Sequence, residues 1–542
     1  MKIVFYLIAM AIWIIIAKNN RAKGARHMDI PNLMFRNDNN YLNWKNSPYD
    51  WQECGDDLNL SDILQSLKSI SFDFPAEYLH TPCIDAADAG YRLDIMEELY
   101  LSFGLLSSLS DFNISLRHFG GKIKEYRKTE DKVQKSYRFL SLFLEYGAMI
   151  KELNAILSSC RSEGLLRLFD YTNSVMEKYA QLFEYAKKLE DEISTIYNGI
   201  TLSVNPDDRK VKIIRKGAEK DIMEQLADSV YEYFGISIKC SFSFVDPNQL
   251  SVLEKTLLDI LQSQNEDTFE TLQRFNTETP ELIDVISDFS MLYHQLEYYL
   301  TYVKLLSKIK DGCISVCKPI FNEKEFYACE CACPSLVTKF IGNDIALSDI
   351  VCNDICIKKG GMFLLSGPNQ GGKTMYLKAL GLTAYLAKCG CLVFCKSCSL
   401  PFYDVIFTHF MKPEVLGRGR LIEEVERMEN IVTSATGNSI ILMNESFAST
   451  RRKDGTEIAV YYLRKLKEKN CCVGFVSHYY EIPETMNTEN IIIESLKTGI
   501  SDDGKRTYKV YKSIGKGWAY AKDIAIKCGM TYEQILSVLE VR

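Results

Sequence analysis

The stretch LSGPNQGGKTM (365–375) follows the apolar run MFLL (362–365) and precedes a helical pattern that resumes at Tyr376. Its spacing fits the phosphate-binding loop G-x-x-x-x-G-K-[ST], in which backbone N–H groups and a helix N-terminus surround phosphate oxygens. The matching residues are Gly367, Gly372, Lys373 and Thr374. A strand, a glycine-rich turn and a helix in this order predict a nucleotide-binding domain.

Residues 322–542 alternate short apolar segments with helical patterns. The segments predicted as strands are FYAC, MFLLSG, CLVFC, SIILMNE, CVGFVSH and NIIIES. Such alternation is typical of an α/β domain with a largely parallel sheet. The phosphate loop would then lie at the end of one strand of this sheet.

Two further strands of this domain end in polar side chains. SIILMNES (439–446) places Glu445 at a strand tip, where a general base would face an attacking water. CCVGFVSHYYEI (471–482) carries His478 at its tip, and a neutral imidazole there can hydrogen-bond a γ-phosphate or position water. A histidine at a strand end can also be structural, but the phosphate loop and Glu445 favour the functional interpretation.

Helical spacing of apolar residues dominates from about Leu58 to Leu306. Segments 122–157 and 165–196 repeat apolar residues at i, i+3, i+4 and i+7, which predicts long, lever-type helices. Between these helices and the next, GITLSVNPDDRKVKII (199–214) alternates β-branched residues around the turn NPDD and predicts a hairpin.

The predicted hairpin is basic, whereas the whole chain carries a net charge of −7. An acidic chain has no overall attraction to nucleic acid, so any DNA contact must come from a local basic surface. The hairpin residues Arg209, Lys210 and Lys212 either form a solvated charged face or contact a phosphate backbone.

Chain length and cysteine usage limit the classes of protein to which the sequence can belong. The 542 residues are enough for more than one domain, since single cores stop growing at roughly 250–300 residues. The 18 cysteines are spread through apolar segments, which indicates free thiols in a reducing compartment. The clusters in 329–333 and 389–398 allow a metal site or buried small residues, and the spacing favours buried residues.

Residues 3–17, IVFYLIAMAIWIIIA, form an uncharged apolar run that basic residues follow. The run is short for a bilayer span of about 20 residues, but flanking lysines that reach the headgroups close the gap. The basic carboxyl-side flank predicts a cytoplasmic location for the remaining chain, anchored to the inner face of a membrane. A buried leader is the alternative.

GPNQGGKT, ILMNE and SHYYEI together resemble the phosphate loop, the Walker B strand and the histidine switch of the MutS family of DNA mismatch-repair ATPases. The resemblance covers residues 326–542, including a segment at 511–536 that is similar to the family's closing segment. Segments 56–64 and 78–100 are similar to the start of the core and lever domain in shorter MutS-like proteins.

The resemblance implies a multidomain fold, in which a long-helix core and lever domain precedes an α/β P-loop ATPase domain of the ABC/MutS type. The implied divisions are an apolar leader or membrane anchor with a basic flank (1–27), a linker (28–55), a helical core and lever domain with a clamp-like hairpin near 199–214 (56–321), and the ATPase domain (322–542). The resemblance also implies a dimer, because such ATPases hold the nucleotide between two protomers.

Each residue of the site receives a role from the resemblance. Lys373 would neutralise the β- and γ-phosphates, Glu445 would polarise the hydrolytic water, and His478 would sense the γ-phosphate. Thr374 and Asn444 would hold Mg²⁺. The residues expected to bind ATP are Gly367, Pro368, Asn369, Gln370, Gly371, Gly372, Lys373 and Thr374.

Some positions depart from the family pattern. Asn444 stands where the family has an aspartate, which removes a negative charge near Mg²⁺. In the segment 416–432, which is similar to the signature region, Gly419 matches the serine that touches the partner's nucleotide. The loop 446–455 lacks glycines usual in the family. These changes predict that ATP binding is retained while hydrolysis is slow.

The first functional hypothesis is an ATP-dependent DNA-binding protein of the MutS type. It would act as a homodimeric clamp that couples ATP binding and hydrolysis to engagement of double-stranded DNA, in mismatch repair or related DNA metabolism. Residues 18–55 are too few for an amino-terminal mismatch-reading domain, so selective mismatch reading is not expected. The alternative is a membrane-tethered, ATP-dependent scaffold that binds a protein partner, which the acidic balance and residues 3–17 favour.

Overall fold

The structure is a computed structural model of the chain. It describes residues 30–46, 49–198, 200–205, 210–215, 232, 261–309, 314–412, 419–501 and 505–513. The apolar segment 3–17, Arg209 and the closing segment 514–542 lie outside these ranges. Within the ranges, no helix has both the length and the apolar character needed to cross a membrane.

The secondary structure of the described ranges is numbered in chain order. The helices are α1 (Asp38–Lys45), α2 (Gln52–Leu58), α3 (Leu60–Ile70), α4 (Glu77–His80), α5 (Ala86–Leu101), α6 (Phe103–Lys128), α7 (Lys132–Leu157), α8 (Glu163–Asn198), α9 (Glu266–Glu278), α10 (Leu282–Leu306), α11 (Pro334–Ile341), α12 (Lys373–Lys388), α13 (Arg420–Ser434), α14 (Arg452–Glu468) and α15 (Ile482–Asn487). The strands are β1 (Ile200–Asn205), β2 (Lys210–Arg215), β3 (Ile320–Phe321), β4 (Glu325–Cys331), β5 (Asn353–Lys358), β6 (Met362–Ser366), β7 (Ser397–Leu400), β8 (Ile406–Phe410), β9 (Ile440–Asn444), β10 (Cys472–Val476), β11 (Glu494–Ile500) and β12 (Arg506–Lys512).

The chain divides into two compact units. The first contains described residues of Met1–Pro31, Ser108–Cys160 and Leu165–Tyr293. The second contains those of Asn32–Ser107, Arg161–Gly164 and His294–Arg542. The sequence predicts a boundary at 321/322, whereas here the early helices belong to the same unit as the phosphate loop.

One predicted lever helix is two helices. The apolar periodicity of 122–157 is continuous, but α6 ends at Lys128 and α7 begins at Lys132. The Asp131 side chain caps α7 by accepting a hydrogen bond from the Gln134 backbone N–H at 2.9 Å. Lys122 of α6 then pairs with Glu145 of α7 at 2.8 Å, so the two helices lie side by side. The predicted helix over 165–196 lies within α8.

Aromatic packing holds the helices of the first unit together. The rings of Phe143 and Phe183 stack with centroids 4.6 Å apart, and Phe143 also meets Phe275 at 5.7 Å. Strands β1 and β2 of this unit pair antiparallel, where the sequence predicts a hairpin. For Lys210 and Lys212 the structure describes the backbone alone.

A six-stranded sheet in the second unit runs in the order β12-β11-β6-β10-β9-β8. All its pairs are parallel except β11 with β12, in agreement with the largely parallel sheet expected from the sequence. Because β6, β10 and β9 are neighbours, their carboxyl ends meet at one edge of the sheet. The phosphate loop, Glu445 and His478 directly follow these three ends.

The second sheet of this unit has the order β3-β7-β4-β5 and contains antiparallel pairs, which the sequence did not indicate. Two predicted strands are displaced. CLVFC (391–395) forms only an isolated bridge at Val393, and NIIIES becomes strand from Glu494 onward. CLVFC is apolar because it is buried against helices, and the Tyr302 hydroxyl of α10 donates to the Leu392 carbonyl at 2.8 Å.

Helix α12 extends from the phosphate loop to a polar junction at its carboxyl end. There the Cys389 carbonyl accepts hydrogen bonds from Arg92 Nη1 at 3.3 Å and from the Tyr298 hydroxyl at 2.9 Å. Arg92 is fully buried, and its Nε donates to the Met34 carbonyl at 2.9 Å. This junction joins α5 and α10 to the helix that follows the phosphate loop, which explains why the early helices share its unit.

Most cysteines of the two clusters are buried. The buried members are Cys331, Cys333, Cys389, Cys391, Cys395 and Cys398, and Cys329 is partly exposed. In the part of the chain that the structure describes, no group of cysteine, histidine or acidic side chains is arranged to hold a metal ion.

Candidate nucleotide-binding site

The phosphate loop connects β6 to α12 through glycines with special backbone geometry. Gly372 precedes the first residue of α12 with φ of 91°, a left-handed conformation that favours glycine. At Gly367 a side chain would collide with the Thr498 hydroxyl of the neighbouring strand β11. Both glycines are therefore required by the shape of the loop.

A cleft of about 590 Å³ lies along this loop. Asn369, Lys373 and Thr374 line it on the phosphate-loop side, together with Glu445. The other lining residues outside the phosphate loop are Cys331, Cys333, Leu336, Ser348, Asp349, Val351, Asn353, Ile355, Met375, Tyr376, Ala379 and Tyr508. The cleft thus combines the polar phosphate loop with apolar and aromatic side chains and a few further polar groups, a combination typical of small-molecule sites.

Lys373 supplies a buried positive charge beside the cleft. Its side chain is 6 % exposed, and Nζ donates to the Gly367 carbonyl at 2.9 Å. Burial lowers the pKa of Lys373, and the Glu445 carboxylate 3.8 Å away opposes that effect in part. A buried ammonium group of this kind gains from an added anion, so the residue fits a phosphate ligand.

Glu445 and His478 meet at adjacent strand ends. Glu445 follows β9 with φ of 53°, and its backbone N–H donates to the Val476 carbonyl of β10 at 2.8 Å. His478 Nε2 lies 3.3 Å from Glu445 Oε1 and 3.1 Å from Asn369 Oδ1. The structure therefore brings the two predicted catalytic residues to each other and to the phosphate loop.

The two predicted metal ligands also meet. The Thr374 hydroxyl donates to Asn444 Oδ1 at 3.1 Å, so two neutral oxygen ligands point to one place beside the loop. Mg²⁺ prefers oxygen ligands and usually retains several waters, which a pair of this kind permits. These residues fit Mg²⁺, although without the carboxylate that would bind it more strongly.

Strand β12 contributes residues that the sequence did not identify. Arg506 Nη1 donates to the Gln370 side-chain oxygen of the phosphate loop at 2.9 Å, and Tyr508 lines the cleft. In their segment, RTYKVYK, charged and uncharged residues alternate in part, a pattern that could have indicated a strand. No local pattern predicts that this strand pairs with β11 and so lies close to the phosphate loop.

The region similar to the family's signature segment is described from Gly419 onward. Gly419 is the N-cap of α13 and Arg420 is its first residue. Arg420 Nε lies 3.9 Å from Glu424 Oε1, one turn along the same helix. Residues 413–418 lie outside the described ranges.

Comparison with known proteins matches this site to one family. The family model for MutS domain V matches residues 363–531, which include the phosphate loop, Glu445 and His478. The relatives include proteins named DNA mismatch repair protein MutS. That of Clostridium perfringens is 24 % identical over 444 residues, which is 75 % of this chain and 47 % of the relative. That of Streptococcus mutans is 28 % identical over 197 residues, 35 % of this chain and 22 % of the relative.

A third relative, MutS of Streptococcus equi subsp. equi, is 24 % identical over 269 residues, 48 % of this chain and 30 % of the relative. The chain spans less than half the length of these curated relatives. The domain V match and the relatives agree with the site geometry: residues 363–531 match MutS domain V, and the chain is similar to MutS proteins over up to 75 % of its length.

Proposed function

We propose that this chain binds and hydrolyses ATP with Mg²⁺ and that, as a dimer of the MutS type, it couples this cycle to the binding of double-stranded DNA. The observation that supports the proposal most is the meeting of three strand ends. Lys373, Glu445 and His478 come from three separate segments, yet Glu445 Oε1 lies 3.8 Å from Lys373 Nζ and 3.3 Å from His478 Nε2. That arrangement suits phosphoryl transfer to water.

In the proposed reaction, a water oxygen bonds to the γ-phosphorus while the bond to the leaving ADP breaks. Glu445 accepts the proton that the water loses, and its 24 % exposed side chain leaves room for that water. Lys373 offsets the negative charge of the phosphates. Bound Mg²⁺ would supply further charge neutralisation, with Thr374 and Asn444 as its protein ligands.

Hydrolysis is expected to be slow, because Asn444 is neutral where a carboxylate would strengthen metal binding. Its oxygen is already engaged with the Thr374 hydroxyl at 3.1 Å. A weakly held metal reduces the charge neutralisation on which phosphoryl transfer depends. Binding of ATP depends more on the loop and Lys373 and is less affected.

DNA binding and dimer formation are proposed from the similarity to proteins that bear the name DNA mismatch repair protein MutS. Within this chain, strand β2 carries Lys210 and Lys212, and Arg209 directly precedes it in the sequence; these are the basic residues that would contact a phosphate backbone. Backbone contacts position a protein on DNA without reading its sequence. The proposal therefore expects DNA binding with little preference for mismatches.

A comparison of Lys373→Ala with Lys396→Ala tests the nucleotide part of the proposal. Both substitutions remove one lysine, but Lys396 is 63 % exposed and pairs with Glu330 away from the cleft. Titration with a fluorescent ATP analogue should show binding to the parent and to Lys396→Ala, and none to Lys373→Ala. Equal affinity in all three proteins would contradict the assignment of the phosphate loop.

Gel-shift measurements test the DNA part. Homoduplex, mismatched and branched DNA should be compared with and without ATP. Binding that depends on the nucleotide is expected. If no DNA binds under any nucleotide condition, the DNA part of the proposal is contradicted. The result would favour an ATPase that binds a protein partner.

A further inference from the structure

His409 lies near the carboxyl end of β8, beside β9, and is 1 % exposed. In the parallel pairing it lies opposite Met443, two residues before Glu445. Its Nδ1 is 2.7 Å from Ser446 Oγ, and its Nε2 is 2.9 Å from the Glu424 carbonyl oxygen of α13. The imidazole therefore contacts the residue directly after the proposed general base.

The protonation state of His409 sets the direction of both hydrogen bonds. Burial lowers the pKa of His409 to about 4, so at pH 7 the ring is neutral and carries one N–H. A carbonyl oxygen can only accept, which places this N–H on Nε2, facing Glu424. Nδ1 is then an acceptor. The single proton of the Ser446 hydroxyl has two acceptors within reach, Nδ1 at 2.7 Å and the His409 backbone carbonyl at 2.9 Å, and both belong to His409.

The backbone around Glu445 needs such support. Glu445 and Phe447 have φ of 53° and 62°, the left-handed region, which is unfavourable for residues with a Cβ. Phe447 is held by its carbonyl, which accepts from the Tyr479 hydroxyl at 2.7 Å, and by its ring, 5.3 Å from the imidazole. Ser446, between these two strained residues, has His409 as its side-chain partner.

We propose that His409 is a positioning residue that fixes Ser446 and thereby the strained backbone that directs the Glu445 carboxylate. The Glu424 carbonyl has a part in this, because it holds the N–H of His409 on Nε2 and leaves Nδ1 free to accept from Ser446. The inference rests on the proposed hydrolysis of ATP, for which Glu445 is the base. It assigns no contact with nucleotide to His409.

Two amide substitutions separate the two hydrogen bonds of the ring. In His409→Asn, the side-chain oxygen lies near the position of Nδ1 and can still accept from Ser446. In His409→Gln, the amide nitrogen reaches the position of Nε2 and can still donate to Glu424, while the Ser446 hydroxyl loses its side-chain acceptor and retains only the backbone carbonyl of residue 409. Ser446→Ala removes both hydrogen bonds of that hydroxyl.

Steady-state ATP hydrolysis should then distinguish the variants. We expect kcat to fall about tenfold or more in His409→Gln and in Ser446→Ala, but by less than about threefold in His409→Asn. KM for ATP should remain unchanged in all three, because none of these residues lies in the phosphate loop. His118→Gln, at an exposed position of α6, is the matched control and should retain the parental kcat.

Melting temperatures are measured for the same proteins, since a merely structural histidine would lower activity in proportion to stability. Equal losses in His409→Asn and His409→Gln, or losses that follow the melting temperature, would overturn the inference while leaving the proposed ATPase intact. A parent that binds ATP without hydrolysing it would overturn the hydrolytic part of the proposed function, and this inference with it.

Discussion

His478 Nε2 lies between two oxygen atoms, 3.3 Å from Glu445 Oε1 and 3.1 Å from Asn369 Oδ1. One ring nitrogen can donate a single N–H, so the general base and the phosphate loop compete for the same hydrogen bond. We expect a phosphate that engages Asn369 to leave the N–H of His478 to Glu445. The pair would then link the occupancy of the loop to the hydrogen bonding of Glu445.

Glu445→Gln should bind ATP and hydrolyse it at least about 10²-fold more slowly than the parent, because an amide cannot accept the proton of the attacking water. Single-turnover hydrolysis and retention of labelled ATP on a filter measure the two effects. Glu468→Gln, at an exposed position of α14, provides the control. Hydrolysis at the parental rate in Glu445→Gln would assign the role of base to another residue.

Asn444→Asp should lower the Mg²⁺ concentration needed for half-maximal hydrolysis by about tenfold, because a carboxylate near the Thr374 hydroxyl is a stronger ligand for a hard cation. A Mg²⁺ titration of the ATPase rate at saturating ATP measures this change. Asn430→Asp adds the same charge at an exposed position of α13 and should leave the titration unchanged. Loss of activity in Asn444→Asp would indicate a site adapted to the amide.

The stability of the parent should fall between pH 6.5 and pH 4 relative to His409→Asn. The folded-state pKa of His409, about 4, is below its ordinary value, because burial penalises the charged ring; nearby Arg427 lowers it further, and the Glu424 carbonyl and Glu53 raise it. The unfolded chain therefore binds more protons in this window, and stability is lost as pH decreases.

The size of this loss is up to about 3 kcal/mol, at about 1.4 kcal/mol per pKa unit. Urea denaturation of both proteins at pH 7 and pH 4.5 provides the measurement. The difference in the free energy of unfolding between the two proteins cancels titrations that both share. These include the titration of Glu424, whose pKa is raised by burial. A difference that does not vary with pH would indicate a His409 that titrates normally.

Replacement of Arg209, Lys210 and Lys212 by alanine should reduce the slope of log affinity for DNA against log salt by about 3, since each lost phosphate contact removes about 1. Affinity should be measured at several salt concentrations on homoduplex and mismatched DNA. A matched triple replacement of Lys396, Lys465 and Lys512 controls for net charge. An unchanged slope would exclude the hairpin from the DNA interface, and strong mismatch preference in the parent would contradict the expected backbone-only binding.

The positions of the site residues were more predictable from the sequence than the sheets around them. LSGPNQGGKTM, Glu445 and His478 each follow a buried strand whose apolar run is visible locally, and parallel strands bring such ends together. The sequence does not predict the turn between α6 and α7, because the apolar periodicity continues across it and only the Asp131 cap marks the break. CLVFC predicts a strand wrongly, because burial by helices and burial in a sheet produce the same apolar run.

The contacts of His409 cannot be predicted from the sequence for a different reason. Its partners Ser446 and Glu424 are 37 and 15 residues away along the chain. Only the parallel pairing of β8 with β9 and the return of α13 bring them to the ring. A single histidine within IFTHF carries no local signal of either contact.

Helix α12 places opposite charges at its two ends. Its 16 residues span about 24 Å, and its macrodipole is equivalent to about half a positive charge at Gly372 and half a negative charge at Cys389. The buried guanidinium of Arg92 lies at the end that favours a positive charge, and the proposed triphosphate would lie at the end that favours a negative one. Arg92 contacts the main-chain oxygen of Cys389, so its electrostatic interaction with the end of the helix does not depend on the Cys389 thiol. An arginine that touches no nucleotide thus belongs to the electrostatics of the helix that would bind one.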